Sequence, residues 1–152
     1  MENMEMNCRF CKNPLEHTFV DLGKTALANS YLSKESDFEI EKEVPLKALI
    51  CKKCFLIQVD EFEKPENIFD NYAYFSSYST SWLEYAKKFV TEIIEKFNIT
   101  NNNQIIEIAS NDGYLLKNFK ERDIPVLGIE PSSNVAKIAE KSGIPTIVSF
   151  FG

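Results

Sequence analysis

The sequence predicts a mixed α/β chain: a small β lobe closed by metal-binding cysteines, then half of a doubly wound parallel sheet. Three observations carry that prediction. Two CxxC pairs, "CRFC" and "CKKC", stand in the first third of the chain with a long insertion between them. From residue 104 onward, apolar runs alternate with amphipathic helical stretches. At the first of these switches, "IIEIASNDGYLL" passes from a strand through an acid and small residues into a helix.

Composition sets the frame. A length of 152 residues suits one ordinary domain or two small ones. Apolar residues make up 44% and charged residues 26%, a globular balance. The net charge is −6, and no basic run is present. Such a chain has little to offer a phosphate backbone, so no nucleic-acid partner is expected. The start, "MENMEMNC", has neither a basic region nor an apolar core, unlike a signal peptide. No apolar run approaches the roughly 20 residues of a membrane span, so no membrane partner is expected either. The expected location is the cytoplasm, where thiols stay reduced. The four cysteines there ask for a metal before they ask for disulfides.

Cys8 and Cys11 form the first pair, Cys51 and Cys54 the second. A CxxC turn aims two thiolates at one point, and two such turns complete a tetrahedron around zinc. Four cysteines fill all four positions, which marks a structural zinc rather than a catalytic one. The long separation makes this a loose zinc ribbon with an insertion between its knuckles. "HTFVDL", "PLKALI" and "FLIQVD" flank the knuckles and read as strands. The single histidine, His17, reads as a strand residue on a wet face rather than a ligand.

The middle of the chain, "PENIFDNYAYFSSYSTSW", is dense in Tyr, Phe and Ser. It reads either as core filler or as a lid whose Tyr72, Tyr78 and Ser79 hydroxyls cover a bound ligand. "STSWLEYAKKFVTEIIEKFN" then reads as a helix, with Ser81 and Glu84 as its capping box. Leu83, Ala86, Phe89, Val90, Ile93, Ile94 and Phe97 share one face at helical spacing. The polar "ITNNNQ" ends it.

Beyond it come the strand "QIIEIA", the helix "DGYLLKNFKER" with Leu115, Leu116 and Phe119 inward, and the strand "PVLGIE". The helix "SSNVAKIAEKSG" follows, with Val135, Ile138 and Ala139 inward and Gly143 as its stop, and then the strand "IPTIVSFF". This order is βαβαβ, one half of a doubly wound sheet.

Two cofactor patterns compete for the first turn. The dinucleotide pattern GxGxxG, begun at Ala109, requires a small residue where bulky Tyr114 stands. The S-adenosylmethionine (SAM) pattern ExGxGxG fits without a gap as Glu107, Ala109, Asn111 and Gly113. Ala109 is small enough for close backbone approach, and Asn111 tolerates the left-handed conformation that glycine usually supplies. Glu130, at the end of the second strand, is placed to accept the ribose hydroxyls of a nucleoside. The spacing therefore prefers SAM over NAD.

These segments, in this order, resemble the N-terminal part of the SAM-dependent deoxysugar C-methyltransferases, which carry an N-terminal zinc-binding domain. The likeness runs over essentially the whole chain. Phe55 departs from it, standing where a glycine is expected after the second knuckle. The resemblance implies an α/β fold: a zinc-ribbon-like β lobe followed by the first half (βαβαβ) of a Rossmann-like SAM-dependent methyltransferase domain. It implies a domain division of 1–62 for zinc binding, 63–103 for the aromatic linker and helix, and 104–152 for the partial SAM-binding domain. It also implies structural zinc on Cys8, Cys11, Cys51 and Cys54. SAM falls on Glu107, Ala109, Asn111, Gly113 and Glu130, with Tyr72 and Tyr78 closing over it. The substrate it implies is a nucleotide-linked 4-keto-deoxysugar. A base would take the proton beside the ketone, and the enolate would attack the methyl group. No catalytic residue can be named within these residues, so the chain alone is expected to be inactive, with its incomplete sheet open to self-association. The alternative is a zinc-ribbon protein-interaction module without catalysis. Such a module has no use for the Glu107–Gly113 spacing or for Glu130.

Overall fold

The computed structural model describes residues 6–69 and 71–152, apart from the side chains of Ser36 and Asp37. Residues 1–5, the start of the stretch read for a leader, lie outside the described residues. The chain divides into two compact units, Met1–Lys64 and Pro65–Gly152. Residues 65–103, read as a linker and helix, fall with the second unit.

The first unit is an antiparallel sheet of β1 (His17–Ala26), β2 (Glu43–Ile50) and β3 (Ile57–Val59), in that order. Each expected strand is present, and β1 runs on to Ala26. It does so through an irregularity between Asp21 and Lys24. There Gly23 takes φ 78°, and its amide donates to Asp21 Oδ1 at 3.0 Å. A 3-10 helix, Glu35–Ile40, interrupts the insertion. Among the described residues of this unit only Cys8, Cys51 and Gln58 are buried. Phe19 and Leu22 stand 58% and 65% exposed, so no apolar core holds this sheet. The buried cysteines are therefore the candidates for its main fastening.

The second unit begins with the short helix α1 (Pro65–Phe69) and a 3-10 turn, Ser76–Tyr78. The long helix α2 (Thr80–Phe97) follows. Its cap is not the expected Ser81–Glu84 box. Ser79 is the N-cap, and its hydroxyl accepts from the Trp82 amide at 3.3 Å. Ser79 is thereby engaged in the helix rather than free for a lid. Asn98 stops the helix in a left-handed conformation, φ 52°.

A parallel sheet then forms from β4 (Ile105–Ile108), β5 (Val126–Ile129) and β6 (Thr146–Ile147), joined through α3 (Leu116–Lys120) and α4 (Ser133–Lys141). The core gathers Val90, Leu116, Phe119, Ile124, Val126, Ala139 and Ile144. Three details depart from expectation. First, α3 starts at Leu116 rather than near Asp112, because the turn before it alternates into the left-handed region as far as Gly113. Second, β6 is two residues long rather than eight, because its partner β5 ends at Ile129. Third, Phe89, Phe97 and Ile138 are 37%, 62% and 38% exposed, although all three were expected to face inward.

The two faces of this sheet differ. Ile105, Val126 and Gly128 lie on one side, where Val126 and Gly128 are buried. Ile106, Ile108 and Ile147 lie on the other and are 55%, 52% and 51% exposed. Gly128 is required where it stands. A Cβ there would meet Ser110 Oγ at 2.4 Å and Thr146 Oγ1 at 3.2 Å.

Candidate functional site

The metal centre is built by two turns with the same geometry. The Cys8 amide donates to Asn13 O and the Lys12 amide to Cys8 O, both at 2.9 Å. In the second turn the Cys51 amide donates to Leu56 O at 3.0 Å and the Phe55 amide to Cys51 O at 2.9 Å. The four sulfurs all lie within 4.8 Å of one another. Cys8 and Cys54 Sγ are 3.6 Å apart, Cys11 and Cys51 Sγ 3.5 Å. A tetrahedron with zinc–sulfur bonds of 2.3 Å has edges of about 3.8 Å, so the cluster fits zinc with little adjustment. His17 is exposed at the start of β1 and does not join it.

Hydrogen bonds to sulfur prepare these thiols for a cation. The Cys11 amide first, then the Gln58 side chain, hold the Cys8 thiol down to about 6. Gln58 donates to Cys8 Sγ at 3.4 Å and accepts from the Arg9 amide at 3.0 Å. The Cys54 amide lowers Cys51 in the same way. Cys54 is pushed up to about 12 against the pull of the Leu56 amide, by burial and by the Cys11, Cys8 and Cys51 sulfurs. A dication among four sulfurs relieves that crowding, and its binding releases protons. Gln58 escaped the sequence reading, because nothing in "FLIQVD" marks its side chain as facing a cysteine 50 positions away.

The second site surrounds the turn after β4. Ala109, Asn111 and Gly113 take φ of 58°, 49° and 78°, so the three alternating positions are all left-handed. The glycine-like conformation persists where two of the glycines are replaced. Gly113 is also a packing requirement, since a Cβ on it would meet Ile144 Cγ1 at 2.9 Å and Ala139 Cβ at 3.3 Å. Its smallness therefore serves the packing of α4 and of Ile144, just before β6, behind the loop.

Glu130 is buried, and both its oxygens are engaged. Oε2 accepts from the Asn111 amide and Oε1 from the Ser132 amide, each at 2.9 Å. Glu130 thus fastens the loop to the end of β5. Glu107 Oε2 and Asp112 Oδ1 are buried with no hydrogen-bond partner. None of these three carboxylates makes an ion pair among the described residues. Burial first, then Asp112 and Glu130, push the Glu107 carboxyl up to about 8. Burial also raises the Tyr114 phenol, with Glu107, Tyr74 and Asp112 adding to it.

Residues 72–78 lie against this loop. Asn111 Oδ1 accepts from the Ser76 amide at 2.8 Å, and Asn111 Nδ2 donates to Tyr74 O at 3.2 Å. Asp112 Oδ2 accepts from the Ser77 amide at 3.0 Å. Tyr72 is half-buried, its ring 5.3 Å from Phe69 and 6.4 Å from Tyr74. Tyr78 is 84% exposed. Tyr74, which the sequence did not single out, bonds to the loop through its carbonyl.

Comparison with known proteins bears on both sites. Residues 8–69 match the family described as "Putative zinc binding domain" (Methyltransf_13). Over 144 residues the chain is 30% identical to C-methyltransferase NovU of Streptomyces niveus. That match covers 95% of this chain and 34% of the relative. The chain is thus similar to that C-methyltransferase, of whose length it spans about a third, and the zinc-binding match takes in all four cysteines. No helix among the described residues is long and apolar enough to cross a membrane.

Proposed function

We propose that this chain forms the zinc-binding and cofactor-binding part of a SAM-dependent C-methyltransferase acting on a nucleotide-linked keto-deoxysugar. The parallel unit is read as the first half of a Rossmann-like SAM domain. One observation carries the cofactor reading. Glu107 Oε2 and Asp112 Oδ1 are buried acceptors without donors, beside a loop whose alternating residues are left-handed. A ligand with hydroxyls and an ammonium would satisfy them, and an orphaned buried carboxylate oxygen is costly until something does. Glu107, Asp112, Glu130 and the backbone at Ala109–Gly113 would hold SAM, with Tyr72 and Tyr78 towards its outer side. SAM supplies a methyl group on a sulfonium. The chain's own share is to bind, to orient and to shelter. Zinc on the four cysteines is structural, since no position is left open for substrate.

Two features of the site support SAM over NAD. Tyr114 stands where the dinucleotide pattern needs a small residue, and the acidic surroundings suit a cationic ligand. Calorimetry with SAM and with NADH tests this directly. One SAM per chain is expected, with Glu130→Ala weakening it by about 1–3 kcal/mol. Binding of NADH in preference to SAM would overturn the reading. The substrate class is tested with labelled SAM and nucleotide-linked 4-keto-deoxysugars, this chain being compared with NovU.

A further inference from the structure

A glycine at position 111 would satisfy the left-handed backbone, φ 49°, at less steric cost than asparagine. What glycine could not do is hold the aromatic segment. The Asn111 amide group makes two bonds to the backbone of residues 74 and 76, while its own backbone amide is tied to Glu130. Ser76 is buried, so its amide has no water to turn to if Asn111 is lost. Next to it, Asp112 takes the Ser77 amide with one carboxylate oxygen and leaves the other without a partner.

A second clamp sits at the other end of the segment. Asn134, in the first turn of α4, accepts from the Tyr72 amide at 3.1 Å and donates to Tyr72 O at 2.8 Å. Its side chain pairs with Tyr72 as a neighbouring strand would. Two asparagines and one aspartate therefore fasten the backbone of Tyr72, Tyr74, Ser76 and Ser77, although the segment forms no strand of its own.

We propose that Asn111 and Asn134 are positioning residues that clamp residues 72–78 onto the cofactor loop as one wall of the ligand site, so that cofactor binding and the order of this segment are coupled. This rests on the cofactor reading above. The coupling follows from shared groups. A ligand that takes up Asp112 Oδ1 steadies the carboxylate whose other oxygen holds Ser77. A ligand against the Asn111 backbone steadies the residue whose side chain holds Tyr74 and Ser76.

The test is amide hydrogen exchange on the whole chain, read at Ser76 and Ser77 with and without SAM, beside calorimetric SAM affinity. Asn111→Gly keeps the left-handed turn and removes the clamp, and Asn134→Ala removes the distant clamp alone. In the free chain Asn111→Gly should speed exchange at Ser76 by roughly tenfold or more. In the parent chain SAM should slow exchange at both serines, and each variant should lessen that protection and weaken SAM binding by roughly tenfold. Asn134→Ala is the more telling variant, since a merely local role for Asn134 would leave SAM affinity unchanged. Unaltered Ser76 exchange in free Asn111→Gly would overturn the clamp, whatever the ligand. Normal SAM binding with no change at Ser76 and Ser77 would overturn the coupling alone. No SAM binding by the parent chain would overturn the cofactor reading and the coupling with it.

Discussion

Lys12 and Phe55 occupy the same place in two different turns. Each follows the second cysteine of its knuckle, each is left-handed (φ 60° and 61°), and each sends its amide to the carbonyl of the first cysteine at 2.9 Å. Left-handed backbone costs a side-chain-bearing residue about 1–2 kcal/mol, against a smaller entropic cost for glycine. The Phe55 ring offsets little of this, being 72% exposed. Phe55→Gly should therefore stabilise the first unit by about 1 kcal/mol. Thermal unfolding of the zinc-loaded chain checks it. A lower melting temperature for the variant would mean that the ring has a partner.

Zinc should be the main fastening of the first unit. Among its described residues, the buried ones are two metal-facing cysteines and the glutamine that bonds to one of them. A sheet with so little apolar burial has no reserve once the sulfurs repel each other. One zinc per chain is expected by elemental analysis of protein purified without added metal. Chelation, or Cys51→Ser, should abolish the β1–β3 signal in circular dichroism. Fluorescence of the single tryptophan, Trp82 in α2, should hold, because it reports the second unit. A chain free of metal with an intact first unit would defeat the prediction.

What the sequence disclosed and what it hid follow from distance along the chain. The knuckles and the Glu107–Gly113 alternation are local patterns in which residue type and spacing carry the geometry, so both could be read directly. The helical faces of α2 and α4 were legible from periodicity, though Phe89, Phe97 and Ile138, expected inward, are exposed. The cap of α2 was misplaced by two residues because Ser79 and Ser81 are both eligible and only the chain's entry angle chooses. The roles of Gln58, Asn111 and Asn134 were hidden. Each acts on backbone or sulfur 35 to 62 positions away, and a polar side chain carries no mark of its partner. The need for Gly128 was hidden for the same reason, since Ser110 meets it only once the strands pair.

The bare face of the parallel sheet should drive self-association. Parallel sheets are ordinarily covered on both sides, and here Ile106, Ile108 and Ile147 are each more than half exposed. They line up with half-buried Leu127 and Ile129 across the paired strands. Covering one such isoleucine contributes about 1.5–3 kcal/mol. Ile106→Lys with Ile108→Lys should therefore weaken association by at least about a hundredfold. Sedimentation velocity over a concentration series checks it. A parent chain that stays monomeric throughout would refute the expectation.

Glu107 should make the second unit less stable as pH rises. Its carboxyl moves from an ordinary 4.5 to about 8 on folding, through burial and then through the charges of Asp112 and Glu130. Below about 4.5 both the folded and the unfolded chain hold this proton, and stability gains or loses nothing from it. Between about 4.5 and 8 the unfolded chain releases the proton while the folded chain keeps it. The unfolded state is then favoured increasingly, and stability falls with pH until the folded carboxyl ionises near 8, above which the loss stays constant. Glu107→Gln keeps the shape of the protonated side chain and cannot ionise, so it should escape this loss. Melting followed by Trp82 fluorescence should show the variant close to the parent chain at pH 4.5 and increasingly more stable towards pH 8. Saturating SAM should narrow that gap, because its positive groups favour the ionised carboxylate that the empty site disfavours. A gap that does not change between pH 4.5 and 8 would show that Glu107 ionises freely, and the uncompensated acidic cluster would lose its place in the cofactor reading.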